Sequence, residues 1–258
     1  YVANAFSDTV MVISGSQSVP PQILSTINVG DGPQPILVHP TNGNIYVGNR
    51  SGNSISILRN QANVGTIVPQ YFPGSIAINP LNGFAFVPMR GGNVVRVYDR
   101  QTLVAEVPVG RNPREMAINT TTGLAYVPNR DSDTVTIFNI NTYAVVATLK
   151  TDAQPLHVAV DAARNRAYVT NWLSDTVTVI SGTSVLGVVP VEANPRRTAI
   201  DPVTGYAYVA NTYGNSVYIL NGTTIVDGKA NLNGPRFVLY NPVNGYVYIS
   251  NQGGNNVT

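Results

Sequence analysis

Residues 166–180 read RAYVTNWLSDTVTVI, from Arg166 to Ile180. An alternating run ends in Tyr168-Val169-Thr170-Asn171, a polar turn follows, and a second alternating run begins at Thr176. Successive strand side chains point to opposite faces, so each run can bury one face and wet the other. Two such runs around a short polar turn predict a β-hairpin.

The same hairpin recurs along the chain. Its first strand ends in Tyr1-Val2-Ala3-Asn4, Tyr46-Val47-Gly48-Asn49, Phe86-Val87-Pro88-Met89, Tyr126-Val127-Pro128-Asn129, Tyr168-Val169-Thr170-Asn171, Tyr208-Val209-Ala210-Asn211 and Tyr248-Ile249-Ser250-Asn251. The copies are offset by 45, 40, 40, 42, 40 and 40 residues, a period that marks a solenoid or a propeller. Before each later copy lies a short apolar run that ends in a turn such as Asn79 to Gly83 or Asp201 to Gly205. Pro presets φ in these turns, and the closing Gly takes a positive φ. We name the apolar run A, the signature run B, the run after the polar turn C, and a looser fourth run, such as Leu103 to Val109, D.

Four antiparallel strands in about 40 residues, repeated, predict the blade of a β-propeller. The count of strand runs predicts seven blades, the first lacking A and the last lacking the end of C and all of D. The chain thus reads as a single all-β propeller domain over 1–258, completed by flanking residues outside it. The first period is longer by five residues, with Ser18-Val19-Pro20-Pro21 enlarging one loop.

The repeat G-x-x-P, then an apolar run, D/N-P-x-T-G-x-A-Y-V-x-N and S-D-T-V-T-V-I resembles the YVTN-type propeller repeat over the whole chain. That resemblance implies a bacterial or archaeal envelope protein, such as a surface-layer protein, and leaves activity open. Two repeats depart from the pattern. The third has Phe86 and Met89 for Tyr and Asn, with Gly91-Gly92 in its turn. The fifth A–B turn, Asp161 to Asn165, lacks Pro and Gly.

Composition sets other bounds. The 258 residues are 43% hydrophobic but only 11% charged, with net charge +2, too little to draw in nucleic acid by bulk attraction. There is no cysteine, which excludes disulfides and thiolate metal sites. No run reaches the ~20 apolar residues of a membrane-crossing helix, so direct membrane insertion is not expected.

Candidate chemistry gathers where strand A begins. Pro113-Arg114-Glu115, Pro155-Leu156-His157, Pro195-Arg196-Arg197 and Pro235-Arg236-Phe237 align, with Pro33-Gln34-Pro35 and Pro73-Gly74-Ser75 at the same repeat position. A propeller would set these segments around one channel mouth. Arg114, Arg196 and Arg236 share one column; Glu115, His157 and Arg197 share the next. Several guanidinium groups at a concave mouth favour a small anion or carboxylate, bound weakly and in a salt-sensitive way. The alternative is that these arginines pair with Asp31, Asp152 or Glu192 in the adjoining loops. A Glu115–His157 pair offers acid–base or metal chemistry, as at the corresponding rim of propeller lactonases and lyases. Two histidines without cysteine leave little for a transition metal, and His39 takes the Asn/Asp place of an A–B turn. No catalytic residues, metal or cofactor are assigned.

The B–C turns add Arg50, Arg90, Arg130, Trp172 and Tyr213 as an interaction rim. Asn119, Asn221 and Asn256 are glycosylation candidates; Asn49 also begins a sequon but is a signature residue. The remaining features read as structure. Signature Asn side chains are expected to bond backbone in the B–C turn, Asp8, Asp133 and Asp175 to serve that turn, and signature tyrosines to pack between blades with hydroxyls at a wet edge. By this logic Met89→Asn is expected to be neutral, or stabilising by up to ~1 kcal/mol. The functional expectation is a non-catalytic, secreted extracellular or cell-envelope module that binds other surface proteins or glycans. A lactonase-like or lyase-like enzyme is the alternative.

Overall fold

The computed structural model describes residues 1–15, 20–40 and 42–258; Ser18 and Val19 of the enlarged first loop lie outside them. Its fold class is that of a seven-bladed β-propeller. There are 26 strands in seven antiparallel sheets, and no helix among the described residues. Five sheets have four strands, and the first and last have three.

The chain packs as two compact units, Tyr1–Pro108 and Val109–Thr258. In the first unit, blade 2 pairs Pro33–Val38, Ile45–Asn49, Ser54–Arg59 and Ala62–Ile67 in order. In the second, blade 5 does the same with Pro155–Asp161, Arg166–Asn171, Thr176–Ser181 and Ser184–Pro190. Strands B and C of these blades are buried almost throughout, whereas strand D is exposed along most of its length. This matches an outer strand with one wet face.

The core lies between blades. Tyr126, Val135 and Ile137 of blade 4 pack on Val158, Val169 and Ile180 of blade 5, and Tyr168, Val177 and Val179 pack on Val209 and Leu220 of blade 6. The signature tyrosines at 126 and 168 are fully buried. Their hydroxyls do not reach a wet edge. Tyr126 donates to the Gly182 carbonyl at 2.9 Å, and the Tyr168 oxygen accepts from the Gly222 amide at 3.0 Å. Each tyrosine thereby ties its blade to the C–D turn of the next. Burial raises the Tyr126 phenol above its ordinary pKa.

The signature asparagines also differ from expectation. Asn129 Nδ2 donates to the Thr134 and Thr136 hydroxyls at 3.1 and 2.9 Å, and Asn171 to Thr176 and Thr178 at 3.0 and 2.8 Å. The bonds reach side chains on strand C, not turn backbone. The reason is register: Asn129 lies opposite Thr134 and Asn171 opposite Thr176, with the second Thr on the same face. The T-V-T-V pattern is therefore half core and half hydroxyl ladder.

The turn aspartates do more than shape their turn. Asp133 and Asp175 hold positive φ of 52° and 57°, a conformation Asn and Asp tolerate best after Gly. Their carboxylates accept the Gln154 and Asn194 amides at 2.8 Å, in the loop that leads to the next blade. Asn215 does the same for Gly234 at 2.9 Å, and in the first unit Asp8 for Gly32 at 2.9 Å. We expect Asp175→Ala to cost ~1.5 kcal/mol, from one charge-assisted bond and a left-handed alanine. Asp175→Asn should retain most of this stability in a denaturant titration.

The fifth A–B turn replaces Gly by Asn165, at φ 51°. Arg164 bonds Asp161 at 3.4 Å and the Val203 carbonyl of the next blade at 3.0 Å. In the first unit, His39 is buried, with Nε2 3.0 Å from the Gly83 carbonyl and Nδ1 accepting from Asn42 at 3.4 Å. It fills the place of a turn Asx residue.

Candidate binding site at the strand A lead-in

The site belongs to the second unit and begins with a backbone irregularity. In blades 5, 6 and 7 the register of strand A against B slips between Pro155 and His157, Pro195 and Arg197, and Pro235 and Phe237. The residue after each proline is skipped. The next one re-enters the ladder, so His157, Arg197 and Phe237 form one column, and Glu115 holds the same repeat position in blade 4. Glu115 and His157 sit side by side through a parallel bridge.

Glu115 is claimed by Arg197. Arg197 NH1 lies 2.5 Å from Oε2, and NH2 donates to Oε1 at 2.8 Å, a two-pronged pair across blades 4 and 6. The two side chains are 29% and 25% exposed. The same guanidinium lies over the Phe237 ring, 4.3 Å from its centroid, where the π face attracts a cation.

His157 accepts the Thr198 amide at Nδ1, at 3.3 Å. Burial, and then the nearby Arg197 charge, hold its imidazole well below the usual histidine range. It is therefore neutral at pH 7 and carries its proton on Nε2. Arg196 is pulled down by burial and then by Arg236; Arg197 by burial, with Glu115 opposing and Arg236 adding. Three guanidinium groups thus feel one another, with Glu115 as the acid among them.

Of the six mouth candidates, Glu115, His157 and Arg197 meet directly, and Arg196 and Arg236 share their field. Arg236 bonds the neutral Gln252 Oε1 at 2.9 Å. Arg114 is buried beside strand B, with its amide on the Pro128 carbonyl at 2.8 Å. The carboxylate that pairs with Arg197 comes from the lead-in to strand A of blade 4, and Asp152 accepts from the Thr176 hydroxyl at 2.8 Å.

A cleft of about 390 Å³ opens beside this cluster, lined by His157, Arg197, Thr198, Phe237, Leu239 and Tyr248 among others. Thr198 and Leu239 carry no signal in the sequence, and Tyr248 reads there as a signature tyrosine, not as part of a site. Phe237 was legible, because it shares the repeat column of Glu115, His157 and Arg197.

The rim residues are dispersed by role. Arg130 bonds Gln154 Oε1 at 3.0 and 2.7 Å and covers the Trp172 ring at 5.3 Å. Tyr213 is 74% exposed. In the first unit, Arg50 is exposed and reaches Gln34 at 3.4 Å, and Arg90 is half-buried with its amide on the Phe72 carbonyl at 3.0 Å. Among the glycosylation candidates, Asn221 and Asn256 are exposed. Asn119 is corrected: it is fully buried, donates to Asn165 at 2.9 Å and accepts from Thr121, which leaves no room for a glycan. Among the described residues no three His, Cys, Asp or Glu side chains gather in a metal-binding group.

Comparison with known proteins supports the propeller fold. The family model described as "Lactonase, 7-bladed beta-propeller" matches residues 65–154. No curated protein matches the chain in sequence. The hydrazine synthase structure of Kuenenia stuttgartiensis is similar with a TM-score of 0.82 at 20% identity, over 99% of this chain and 90% of that one. A functionally unknown protein from Desulfotomaculum acetoxidans DSM 771 is similar with a TM-score of 0.72 at 17% identity, over 95% of this chain and 83% of that one.

Proposed function

We propose that this chain is a non-catalytic interaction propeller of the YVTN repeat type, working at the cell envelope or outside the cell on other surface proteins or glycans. One observation carries the non-catalytic part. The acid that could serve as general base, Glu115, has both oxygens engaged by Arg197 at 2.5 and 2.8 Å. A carboxylate held in this way is a poor proton acceptor. Its neighbour His157 has its Nδ1 lone pair engaged by the Thr198 amide at 3.3 Å, so no ring nitrogen is open to take a proton. The surface assignment rests on the repeat resemblance and on a hydroxyl- and amide-rich composition with few charges.

A lactonase-like or lyase-like enzyme working at the same mouth is the second reading. It is favoured by the lactonase family match, whose span takes in Arg114 and Glu115. Incubation of the chain with aliphatic and aromatic lactones, with and without added divalent cations, separates the two. We expect hydrolysis at the buffer rate. Turnover that disappears in Glu115→Gln would establish the enzyme instead.

A further inference from the structure

We infer that the cleft beside Arg197 takes a small organic monocarboxylate with an apolar body, its carboxylate on Thr198 and His157 and its body on Phe237 and Leu239. This rests on reading the mouth as a binding site. The lining has two chemistries. At one end stand Thr198, His157 and Arg197. Phe237, Leu239, Tyr248 and Val257 supply a largely apolar wall.

Thr198 provides the first clue. Its residue is 6% exposed, yet its Oγ1 is buried without a hydrogen-bond partner. A buried hydroxyl left unpaired is costly, and Thr198 belongs to the cleft lining, so a small side-chain rotation would bring a ligand group to it. The second clue is the sense of the neighbouring groups. With Nδ1 already accepting from the Thr198 amide, neutral His157 has only an N–H left to offer. Thr198 adds a hydroxyl that can donate as well as accept, so an acceptor group can be held by both at once.

Charge makes that acceptor an anion. Arg196, Arg197 and Arg236 lie in one another's field against the single carboxylate of Glu115. Among the described residues the Arg196 side chain has no hydrogen bond or ion pair. A ligand anion would restore the balance. Two neutral donors suit the two oxygens of a carboxylate. A phosphate dianion would need more donors, and Glu115 already holds both terminal nitrogens of Arg197.

Size completes the description. About 390 Å³ has room for on the order of a dozen non-hydrogen atoms, at the small end of ligand pockets. Phenylacetate has this shape and charge and serves as the probe.

Titration of the protein with phenylacetate at low salt, followed by NMR shifts and calorimetry, should give saturable millimolar or tighter binding. Phenylacetamide and sulfate should each bind at least tenfold more weakly. Thr198→Val should weaken phenylacetate at least fivefold, and Thr198→Ser should restore it. Equal affinity for acid and amide, sulfate binding as tightly as phenylacetate, or an unchanged Thr198→Val would overturn the inference. If Thr198→Val fails to fold, the acid–amide comparison on the parent chain decides alone. The same spectra keep the two readings apart. A product resonance would contradict the non-catalytic reading while supporting the site; the absence of any shift removes the site and leaves that reading intact.

Discussion

Replacing Met89 by Asn is expected to destabilise the protein by about 3 kcal/mol and to lower the melting temperature by roughly 10 °C. The consensus argument points the other way, since six of the seven signature copies carry Asn here. The structure supplies the reason. Met89 is fully buried in a cluster with Tyr46, Ile57, Val87 and Tyr98. Opposite it in the ladder stands Val94, where the other blades place Thr, Ser or, in blade 7, Asn, and two residues on is Arg96. An asparagine at 89 would lose the apolar contacts and meet no hydroxyl. The third blade has thus exchanged both halves of the ladder, Asn for Met and Thr for Val. Its turn follows the same change. Gly91 and Gly92 lie against the Tyr71 ring, and a Cβ on Gly92 would overlap it. These glycines make room for the Tyr71 ring. Adding Val94→Thr to Met89→Asn should recover part of the loss. A parent-like melting temperature for Met89→Asn would refute the exchange.

The second large effect is expected at the mouth. Glu115→Gln leaves Arg197 facing Arg196 and Arg236 with no acid among them. Fully buried pairs lose 3–5 kcal/mol when one partner is removed, whereas exposed pairs lose less than about 1. With a quarter of each side chain exposed, about 2 kcal/mol is expected, read from denaturant midpoints. Added salt should narrow the gap between variant and parent by screening the three cations. In a double-mutant cycle with Arg197→Gln, the coupling should be about 1–2 kcal/mol. Independent effects of the two substitutions would mean that the pair contributes no more than a surface contact.

Much of the fold could be read from sequence because its determinants are local. Two-residue alternation, Asx-Pro turns and the recurring Y-V-x-N write out each strand and its boundaries. The repeat also aligned Glu115, His157 and Arg197 before any coordinates did. What it could not show arises from stacking one blade on the next. The slip after Pro155, Pro195 and Pro235 decides which residue re-enters the ladder, and only the pairing of strands A and B shows its size. The tyrosine hydroxyls find their partners in the turn of the following blade, some 55 residues away in sequence. Thr198 looks like any strand residue until the cleft beside it is seen. Met89 is a different case. Its partners Val94 and Arg96 were in plain sight, and reading the substitution together with them leads to the destabilisation argued above.

The most direct test of the central claim, that the mouth binds and does not perform acid–base chemistry, is the protonation state of His157. Nitrogen-15 NMR of the imidazole across pH 8 to 5 reports both charge and tautomer. A group whose proton affinity is lowered by burial and by Arg197 should remain neutral, with its proton on Nε2, as pH falls past the ordinary histidine value of about 6.5. Stability should then begin to fall below that pH, by up to ~1.4 kcal/mol per pH unit, because only the unfolded chain takes up the proton. The account predicts no titration of His157 near pH 6.5 in the folded chain. A full inflection between pH 6 and 7, with both ring nitrogens protonated below it, would contradict it by showing that the Nδ1 lone pair is open to a proton.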